Sequence, residues 1–334
     1  MCKKNIQKIL ISAPLRLSIA GGGTDLPEFS KQYGAHIIST AISLRVTVHI
    51  TNRNTHRMEE EYWYLFAKRN PGMSVQSVES PVSPGAGLGG SGSFVTCLLL
   101  AEKIIKNKLT DITPSKIGLE AYLWERELLK KPVGFQDPIA AAVGGCVEMI
   151  TKPNGKITIR KRDDLSEAID YMLKTQIIIA DTLIRRTASN ILTSLATHLK
   201  KSNPKDIKGI AQADEVVHIL KNRDGVAFGK LLDRHWQRKR TLISEITLPK
   251  LDALIGAAKK AGASGSKVIG AGGGGFLMVS GHPKARENIE NSLRAQGCKI
   301  VPLNVEQEGV RIEHFNFSNL KEETLCFSKS SMHR

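Results

Sequence analysis

The chain has 334 residues, a length typical of two domains or one large one. Hydrophobic residues make up 41% and charged residues 24%, which excludes a mainly disordered or collagen-like chain. The longest apolar stretch, Val268–Val279, falls short of the roughly 18 residues of a membrane span, and the N-terminus lacks the apolar core of a signal peptide. We therefore expect a cytoplasmic protein without a membrane-spanning segment.

The net charge of +16 arises from 48 Lys and Arg against 32 Asp and Glu. Such a balance suits RNA, an anionic membrane surface or phosphorylated small molecules. The basic residues are scattered, without the long run that is typical of a nucleic-acid-binding arm. The five cysteines are odd in number and form no CxxC pair, so we expect neither a disulfide framework nor a zinc site.

The first part of the chain predicts strands followed by helices. Apolar residues alternate with other residues in three segments, which predicts strands at Leu15–Ile19, Val46–Ile50 and Tyr62–Phe66. Apolar residues at helical spacing predict a helix over 91–107. Thr113 followed by Pro114 predicts the start of another helix, which extends to about residue 130.

The second half mixes the two element types. The pattern predicts helices over 206–221, 226–243, 249–262 and 283–296, and strands over 176–181, 267–270, 275–280, 299–305 and 310–315. The absence of a strict βαβ period predicts an α+β fold. The polar stretch 151–166 is typical of a turn-rich hairpin or a linker. We place the domain boundary just after it, which gives domains of residues 1–170 and 171–334.

Three glycine-rich segments carry most of the functional information: 20–25 (AGGGTD), 84–93 (PGAGLGGSGS) and 270–275 (GAGGGG). The middle segment leads directly into a helix. Free N–H groups and the positive end of the helix dipole favour phosphate at such a place. A hydroxyl there, from Ser91 or Ser93, can reach a metal that the phosphate holds. The alternative is that Ser91 only caps the helix, and the sequence leaves both interpretations open.

Other phosphate-binding folds fit poorly. The pattern GxGxxG occurs at 85–90 and 270–275, but without the strand and helix that a dinucleotide-binding fold places around it. No GxxxxGK[ST] motif is present, which disfavours a P-loop NTPase. Asp137 lies at a constrained turn before Pro138. It is suited to act as a base for a hydroxyl nucleophile, and it equally suits the cap of a helix that begins at Pro138.

Taken together, these segments resemble the GHMP kinase superfamily, which includes galactokinase, homoserine kinase and mevalonate kinase. The family's middle motif, PxxxGLGSSAA-like, is similar to Pro84–Ser93, with Gly90 in place of its first serine. Its third motif resembles Lys267–Phe276 (KVIGAGGGGF). The first motif is similar to the galactokinase segment, with Gly22 and Gly23 where galactokinases have Glu-His. Within the superfamily the chain most resembles the D-glycero-D-manno-heptose 7-phosphate kinases, with the fucokinase-like sugar 1-kinases as the alternative.

The resemblance implies an N-terminal domain like domain 2 of ribosomal protein S5, a C-terminal ferredoxin-like domain and an active site between them. It implies transfer of the ATP γ-phosphate to the C1 hydroxyl of heptose 7-phosphate, with ATP and Mg²⁺ as cofactors. The product would feed nucleotide-activated heptose for surface polysaccharide. The expected partners are small molecules, without nucleic acid or membrane, and the expected state is a monomer or homodimer.

The resemblance also assigns roles to residues. The ATP phosphates would lie on a loop composed of Gly85, Gly87, Leu88, Gly89, Gly90, Ser91, Gly92 and Ser93. Ser91 and Glu125 match the magnesium ligands. Glu127 is the rival of Glu125, because the spacing from Glu125 to Asp137 is one residue longer than in mevalonate kinase. Asp137 matches the catalytic aspartate, and Arg16 matches the arginine that offsets charge near it.

The substrate-binding prediction covers Gly22, Gly23, Thr24, Asp25, Arg185, Gly273 and Gly274. Gly22 and Gly23 would leave space for a larger or differently oriented sugar. Arg185 and Arg186 follow a predicted strand, and a guanidinium suits the 7-phosphate. The alternative for these two arginines is a solvated basic face.

Two other function classes remain to be weighed against a kinase. An RNA-binding protein would fit the charge, but aromatic residues are only 5%, and RNA binders usually interleave aromatic with basic residues. A non-catalytic binder with the same fold is disfavoured because Ser91, Glu125 and Asp137 are all present.

Overall fold

The computed structural model describes residues 6–53, 61–110, 112–153, 155–185, 213–242, 246 and 248–317. These ranges contain two antiparallel sheets with helices packed against them. The strands are β1 (Ile6–Ala20), β2 (Ala35–Thr51), β3 (Ser74–Glu79), β4 (Cys146–Thr151), β5 (Ile157–Lys161), β6 (Ile177–Asp181), β7 (Ala263–Val268), β8 (Phe276–Gly281), β9 (Lys299–Ile300) and β10 (Arg311–Phe317).

The α-helices lie between these strands along the chain, singly or in groups of three. They are α1 (Pro27–Tyr33), α2 (Glu61–Arg69), α3 (Gly90–Ile105), α4 (Pro114–Leu123), α5 (Gln136–Val143), α6 (Asp163–Thr175), α7 (Ala213–Lys221), α8 (Gly225–Leu242), α9 (Pro249–Lys260) and α10 (Arg286–Ala295). The α+β class is therefore confirmed. No helix within these ranges is both long and apolar enough to cross a membrane.

The first sheet has the order β10-β1-β2-β4-β5, and β3 also pairs with β2. Helices α3 and α5 pack against β1 and β2, the two long strands at its centre. Strand β1 alternates as the sequence predicts, with Leu15, Leu17 and Ile19 in the apolar core. The polar residues between them, Arg16 and Ser18, are buried too and line the cavity described below.

The second sheet has the order β7-β8-β6-β9 and is antiparallel throughout. Read from the β9 edge, the order is β9-β6-β8-β7, which are the fourth, first, third and second strands of this half along the chain. Helix α10 lies between β8 and β9 in the sequence. This is the ferredoxin-like arrangement expected for the C-terminal half. Strand β10 leaves this half and pairs with β1. The chain thus returns to the first sheet at its end, and a boundary between residues 170 and 171 stays a proposal.

Two local predictions need correction. The segment Tyr62–Phe66 is part of helix α2 and not a strand, because its buried residues are Trp63 and Phe66, three positions apart on one helical face. The stretch 151–166 is a hairpin only in part. Strands β4 and β5 pair, but α6 begins at Asp163, inside the stretch. The cap at Thr113 is confirmed, since its side chain accepts a hydrogen bond from the Lys116 N–H.

Candidate active site

A cavity of about 760 Å³ is lined by residues from both halves of the chain. Its walls come from β1, the loop before α3, the turn before α5, helix α8 and the segment after β7. This volume is in the range of small-molecule sites, roughly 300–1,000 Å³. Of the site residues proposed from the sequence, Gly22, Gly23 and Asp25 of the first glycine segment and Gly85 and Gly87–Ser91 of the second line the cavity. The proposed residues of the three segments that do not line it are Thr24, Gly92, Ser93, Gly273 and Gly274.

The loop before α3 has the form of an anion site. Gly89 is the N-cap residue with a left-handed φ of 77°, and no side chain caps the helix. The first N–H groups of α3 are therefore available to a ligand. Ser91 is the second residue of the helix and does not cap it, so the capping alternative is wrong. Ser93 is buried and its hydroxyl donates to the Pro14 carbonyl at 2.7 Å, so its predicted contact with the ATP phosphates stays a prediction.

The third glycine segment supports this loop through its backbone. Gly87 has a φ of 87°, and a Cβ at this position would lie 2.4 Å from the Ile269 carbonyl oxygen. A Cβ on Gly275 would lie 2.3 Å from the Ala86 carbonyl oxygen. Only glycine permits such close backbone contact. The third segment therefore packs directly against the backbone of the loop before α3 and restricts its shape.

Arg16 joins the loop to Asp137. Its Nε donates to Asp137 Oδ1 at 2.7 Å, and its Nη1 donates to the Gly87 carbonyl at 2.5 Å. Arg16 is almost fully buried, whereas the Asp137 side chain is 30% exposed toward the cavity. The arginine thus fixes the carboxylate beside the loop, while part of the carboxylate stays accessible to a ligand.

Asp137 lies within the first turn of α5, which begins at Gln136 and not at Pro138. The expected capping role of Asp137 is therefore wrong. Gly92 allows α3 to pass directly over this turn, because a Cβ on Gly92 would lie 2.6 Å from Asp137 Cβ. The close packing of the two helices sets the position of the carboxylate.

Glu125 lies at the edge of the cavity and is almost fully buried, at 1% exposure. It accepts a hydrogen bond from the Tyr62 hydroxyl at 2.9 Å. Burial raises the pKa of Glu125 to about 7, and Asp137 adds to this, whereas hydrogen bonds from Tyr62 and Ser91 oppose it. The proton on this carboxyl is thus easily displaced near neutral pH by a cation that binds beside it.

The choice between Glu125 and Glu127 follows from the local backbone. Residues Trp124–Leu128 form a π turn, in which each turn contains one residue more than an α turn. Glu125 lies within this turn and lines the cavity. Glu127 points away from the cavity, with a side chain that is 63% exposed and 4.0 Å from Lys130. The geometry favours Glu125.

The first glycine segment closes another side of the cavity. Asp25 accepts the Gly23 N–H at 3.0 Å and the Gln136 N–H at 3.2 Å. Burial raises the pKa of Asp25, and the nearby Asp137 raises it further. Gly22 lines the cavity, but a Cβ there would lie 2.3 Å from Ser18 Oγ. Gly22 thus lies against Ser18 on one side and faces the cavity together with Gly23, and the expected space for a larger sugar at these two glycines stays a prediction.

Two family models match the chain. One is the GHMP kinases N terminal domain, over residues 54–145, and the other is GHMP kinases C terminal, over residues 216–298. Together they take in more than half of the chain, in the expected order. The chain belongs to the GHMP kinases. It is accordingly a phosphotransferase with ATP as donor and an alcohol group as acceptor.

Individual relatives of this GHMP kinase share only a modest sequence identity with it. D-glycero-alpha-D-manno-heptose 7-phosphate kinase of Campylobacter jejuni is 24% identical, over 92% of this chain and 99% of the relative. Mevalonate kinase of Thermococcus gammatolerans is 27% identical, over 74% of this chain and 70% of the relative. The crystal structure of a D-glycero-D-manno-heptose 1-phosphate kinase from Bacteroides thetaiotaomicron superimposes with a TM-score of 0.69 at 21% identity, over 92% of this chain and 99% of the other.

Some predicted substrate residues lie elsewhere in this GHMP kinase. Arg185 forms two hydrogen bonds with Asp181, both 2.8 Å long, and does not line the cavity. Gly273 donates to the Ile246 carbonyl, and Gly274 packs against Ile184. Thr24 is buried and donates to the Gly21 carbonyl. Their assignment to substrate stays a prediction, and Arg186 lies outside the described residues.

Several cavity residues were missed by the sequence-based prediction. Tyr62 was assigned to a strand, and His235 only to the predicted helix over 226–243. Lys239 was placed only in a predicted helix and Lys267 only at the start of the third motif, although both line the cavity. The available signals were the four-residue spacing of His235 and Lys239 on one helix and the position of Lys267 just before the third glycine segment.

Proposed function

We propose that this GHMP kinase transfers the γ-phosphoryl group of ATP to the anomeric C1 hydroxyl of D-glycero-D-manno-heptose 7-phosphate. The main support for this type of reaction is the 2.7 Å ion pair between Arg16 and Asp137, which lies beside the uncapped N-terminus of α3. The substrate is supported by the heptose 7-phosphate kinase of Campylobacter jejuni, which matches along nearly its whole length.

The chemistry follows from the placement of these groups. The C1 hydroxyl would lie against the exposed part of Asp137, and the γ-phosphoryl group would lie against the first N–H groups of α3. As the sugar oxygen bonds to the γ-phosphorus, the bond from phosphorus to the β–γ bridging oxygen breaks. Asp137 accepts the hydroxyl proton or orients the hydroxyl, and Arg16 holds Asp137 in place.

Mg²⁺ fits the residues at the loop. Magnesium in kinases usually takes one or two protein ligands and completes its shell with phosphate oxygens and water. Ser91 and Glu125 meet that requirement, and in the described ranges no larger group of His, Cys, Asp and Glu could hold a metal alone. When bound, the ion would neutralise negative charge on the ATP phosphates. Glu125 would then act as a carboxylate ligand, with Tyr62 fixing its orientation.

The wider setting is part of the same proposal. Asp25 and the backbone of Gly22 and Gly23 would bind sugar hydroxyls. The protein would act in the cytoplasm, as a monomer or homodimer, and its product would supply nucleotide-activated heptose for surface polysaccharide.

The alternative is a fucokinase-like sugar 1-kinase. L-fucokinase/L-fucose-1-P guanylyltransferase of Bacteroides fragilis is 24% identical over 90% of this chain, although this covers only 38% of that longer protein. The two candidates differ in the acceptor, since one carries a phosphate and the other does not.

A substrate panel tests the proposal. ATP turnover is measured with magnesium and D-glycero-D-manno-heptose 7-phosphate, L-fucose, D-galactose or mannose 6-phosphate. The proposal predicts the highest kcat/KM with the heptose 7-phosphate. A preference for L-fucose would replace it with the fucokinase-like alternative, and no turnover with any of the four would contradict both.

A further inference from the structure

The second half of the chain contributes a basic wall to the cavity. Lys239 on α8 and Lys267 on β7 line it, and their exposed fractions are only 6% and 3%. His235 lies one helical turn before Lys239 and is buried beside the same cavity. Lysine is almost never buried this deeply unless it is paired. These residues therefore require a functional or structural explanation.

Within the described part of the chain, the hydrogen-bond partners of both lysines are backbone carbonyls. Lys239 Nζ donates to the Gly270 carbonyl at 2.7 Å, and Lys267 Nζ donates to the Ile19 carbonyl at 2.9 Å. An ammonium group has three donors, so each lysine retains capacity for another acceptor. Among the residues that the structure describes, no ion pair joins either lysine to a carboxylate.

The electrostatics of this wall favour an anion. Burial lowers the pKa of Lys267 to about 7, and Lys239 and Arg16 lower it further. Burial lowers the pKa of Lys239 to about 8, with Asp25 acting against this and Arg16 adding to it. The pKa of His235 is well below its usual range, through burial and then the two lysines and Arg238. A bound anion would restore the charged forms of both lysines.

The two amines reach toward different parts of the site. Lys267 contacts Ile19, which directly precedes the first glycine segment, where the sugar is expected. Lys239 contacts Gly270, which packs against Gly87 of the phosphate loop. The loop and the start of α3 already supply donors for the ATP phosphates. Lys239 also lies near enough to Asp25 of the first glycine segment for their charges to interact. Both lysines therefore border the expected acceptor site, and Lys239 borders the loop before α3 as well.

We infer that Lys239 and Lys267 form a second phosphate subsite, which binds the monoester phosphate of the acceptor. The substrate class is accordingly a sugar monophosphate and not a free sugar. The inference rests on the proposed function only in that the acceptor binds in this cavity. Arg185, the residue predicted for this task from the sequence, is already engaged with Asp181.

A kinetic comparison tests this assignment. Lys239→Met and Lys267→Met preserve the side-chain bulk without the charge, and Lys230→Met, at an exposed position of the same helix, is the matched control. Loss of one charge-assisted hydrogen bond should raise KM for heptose 7-phosphate by about 10- to 100-fold in each cavity variant. We expect KM for ATP to change less than about threefold, and Lys230→Met to match the wild type.

The same variants distinguish the two sources of phosphate. An equal rise in both KM values would assign the lysines to the γ-phosphate of ATP and overturn the inference. A rise in the acceptor KM with Arg185→Ala, without one in the lysine variants, would also overturn it. Replacing an unpaired buried charge with methionine should leave the thermal midpoint unchanged or raise it, so a loss of folding would point to a purely structural role.

A binding measurement separates this inference from the proposed reaction. Calorimetry without ATP compares mannose 6-phosphate with mannose. The wild type should prefer the phosphorylated sugar about tenfold or more, and Lys267→Met should lose that preference. This result would uphold the subsite even if heptose 7-phosphate were not turned over. Equal binding of the two sugars by the wild type would overturn the inference, whatever the kinase activity.

Discussion

The contact between α3 and the turn that carries Asp137 permits a sharp test with one methyl group. Gly92 lies within α3, where Gly→Ala ordinarily stabilises a helix by roughly 0.5–1 kcal/mol. Here the added Cβ would lie 2.6 Å from Asp137 Cβ, 2.8 Å from the Pro138 nitrogen and 2.9 Å from the Asp137 carbonyl carbon. All three atoms belong to the first turn of α5 and not to a flexible side-chain end.

The size of the effect follows from these distances. Carbon atoms normally pack at about 3.5–4.0 Å, so the 2.6 Å contact must widen by about 1 Å. Overpacking of this kind costs about 1–3 kcal/mol of folding stability. A shift of about 1 Å in a catalytic group reduces the rate by about 100-fold. We therefore expect Gly92→Ala to destabilise the protein and to lower kcat by about 100-fold.

The control is the same substitution in a place with free space. Gly256 lies within α9, and a Cβ there meets no atom within 4 Å. Gly256→Ala should leave kcat unchanged and raise the free energy of unfolding by roughly 0.5–1 kcal/mol. Denaturant unfolding and steady-state kinetics measure both effects. If Gly92→Ala behaved like Gly256→Ala, the proposed positioning of Asp137 by helix packing would be refuted.

Three further predictions concern the groups around Asp137. Arg16→Met removes both the 2.7 Å contact to Asp137 and the 2.5 Å contact to Gly87, so kcat should fall by about 100-fold; a rate within threefold of the wild type would exclude a positioning role. Burial raises the pKa of Glu125 to about 7, above its ordinary value of 4.5. The folded state therefore binds this proton more tightly than the unfolded state, and the contribution of Glu125 to wild-type stability falls as the pH rises from 4.5 to about 7. Without nucleotide, the thermal midpoint of Glu125→Gln minus that of the wild type should therefore increase from about pH 5 to pH 7.5. A difference that stays constant with pH would contradict the burial of an ionisable Glu125. Tyr62→Phe removes a hydrogen bond that lowers the pKa of Glu125, so the apparent magnesium affinity should fall several-fold near pH 7 and recover at higher pH; titrations at two pH values check this, and equal losses at both would assign Tyr62 another role.

Much of the architecture could be anticipated from the order of local patterns. The three glycine segments, the alternation in β1 and the cap at Thr113 each depend on neighbouring residues, which a sequence displays directly. Asp137 and Arg16 are 121 positions apart, yet both were identified because each lies in its own recognisable motif. Their 2.7 Å contact could not be predicted from local patterns, since it depends on the contact of β1 with the loop before α3, where the Arg16 N–H donates to the Leu88 carbonyl.

The errors have physical causes. The aromatic residues Tyr62, Tyr64 and Phe66 alternate as in a strand, but only by coincidence. The segment is helical, and its buried face contains Trp63 and Phe66. Lys239 and Lys267 resembled ordinary surface lysines, since burial of a charge depends on tertiary packing and leaves no periodic trace. Arg185 was predicted to bind phosphate because it follows a strand. In the structure its guanidinium is paired with Asp181, four residues earlier, which the strand pattern does not reveal.

The central claim is that Asp137 serves transfer of phosphate from ATP to the C1 hydroxyl of a sugar phosphate. The most direct measurement is phosphorus NMR of the product that wild type and Asp137→Asn form from ATP and D-glycero-D-manno-heptose 7-phosphate. We expect a new phosphate signal coupled to the anomeric proton with the wild type, and a rate lowered by about 100- to 10,000-fold with Asp137→Asn. A new phosphate on another carbon, or an Asp137→Asn rate close to that of the wild type, would contradict the account.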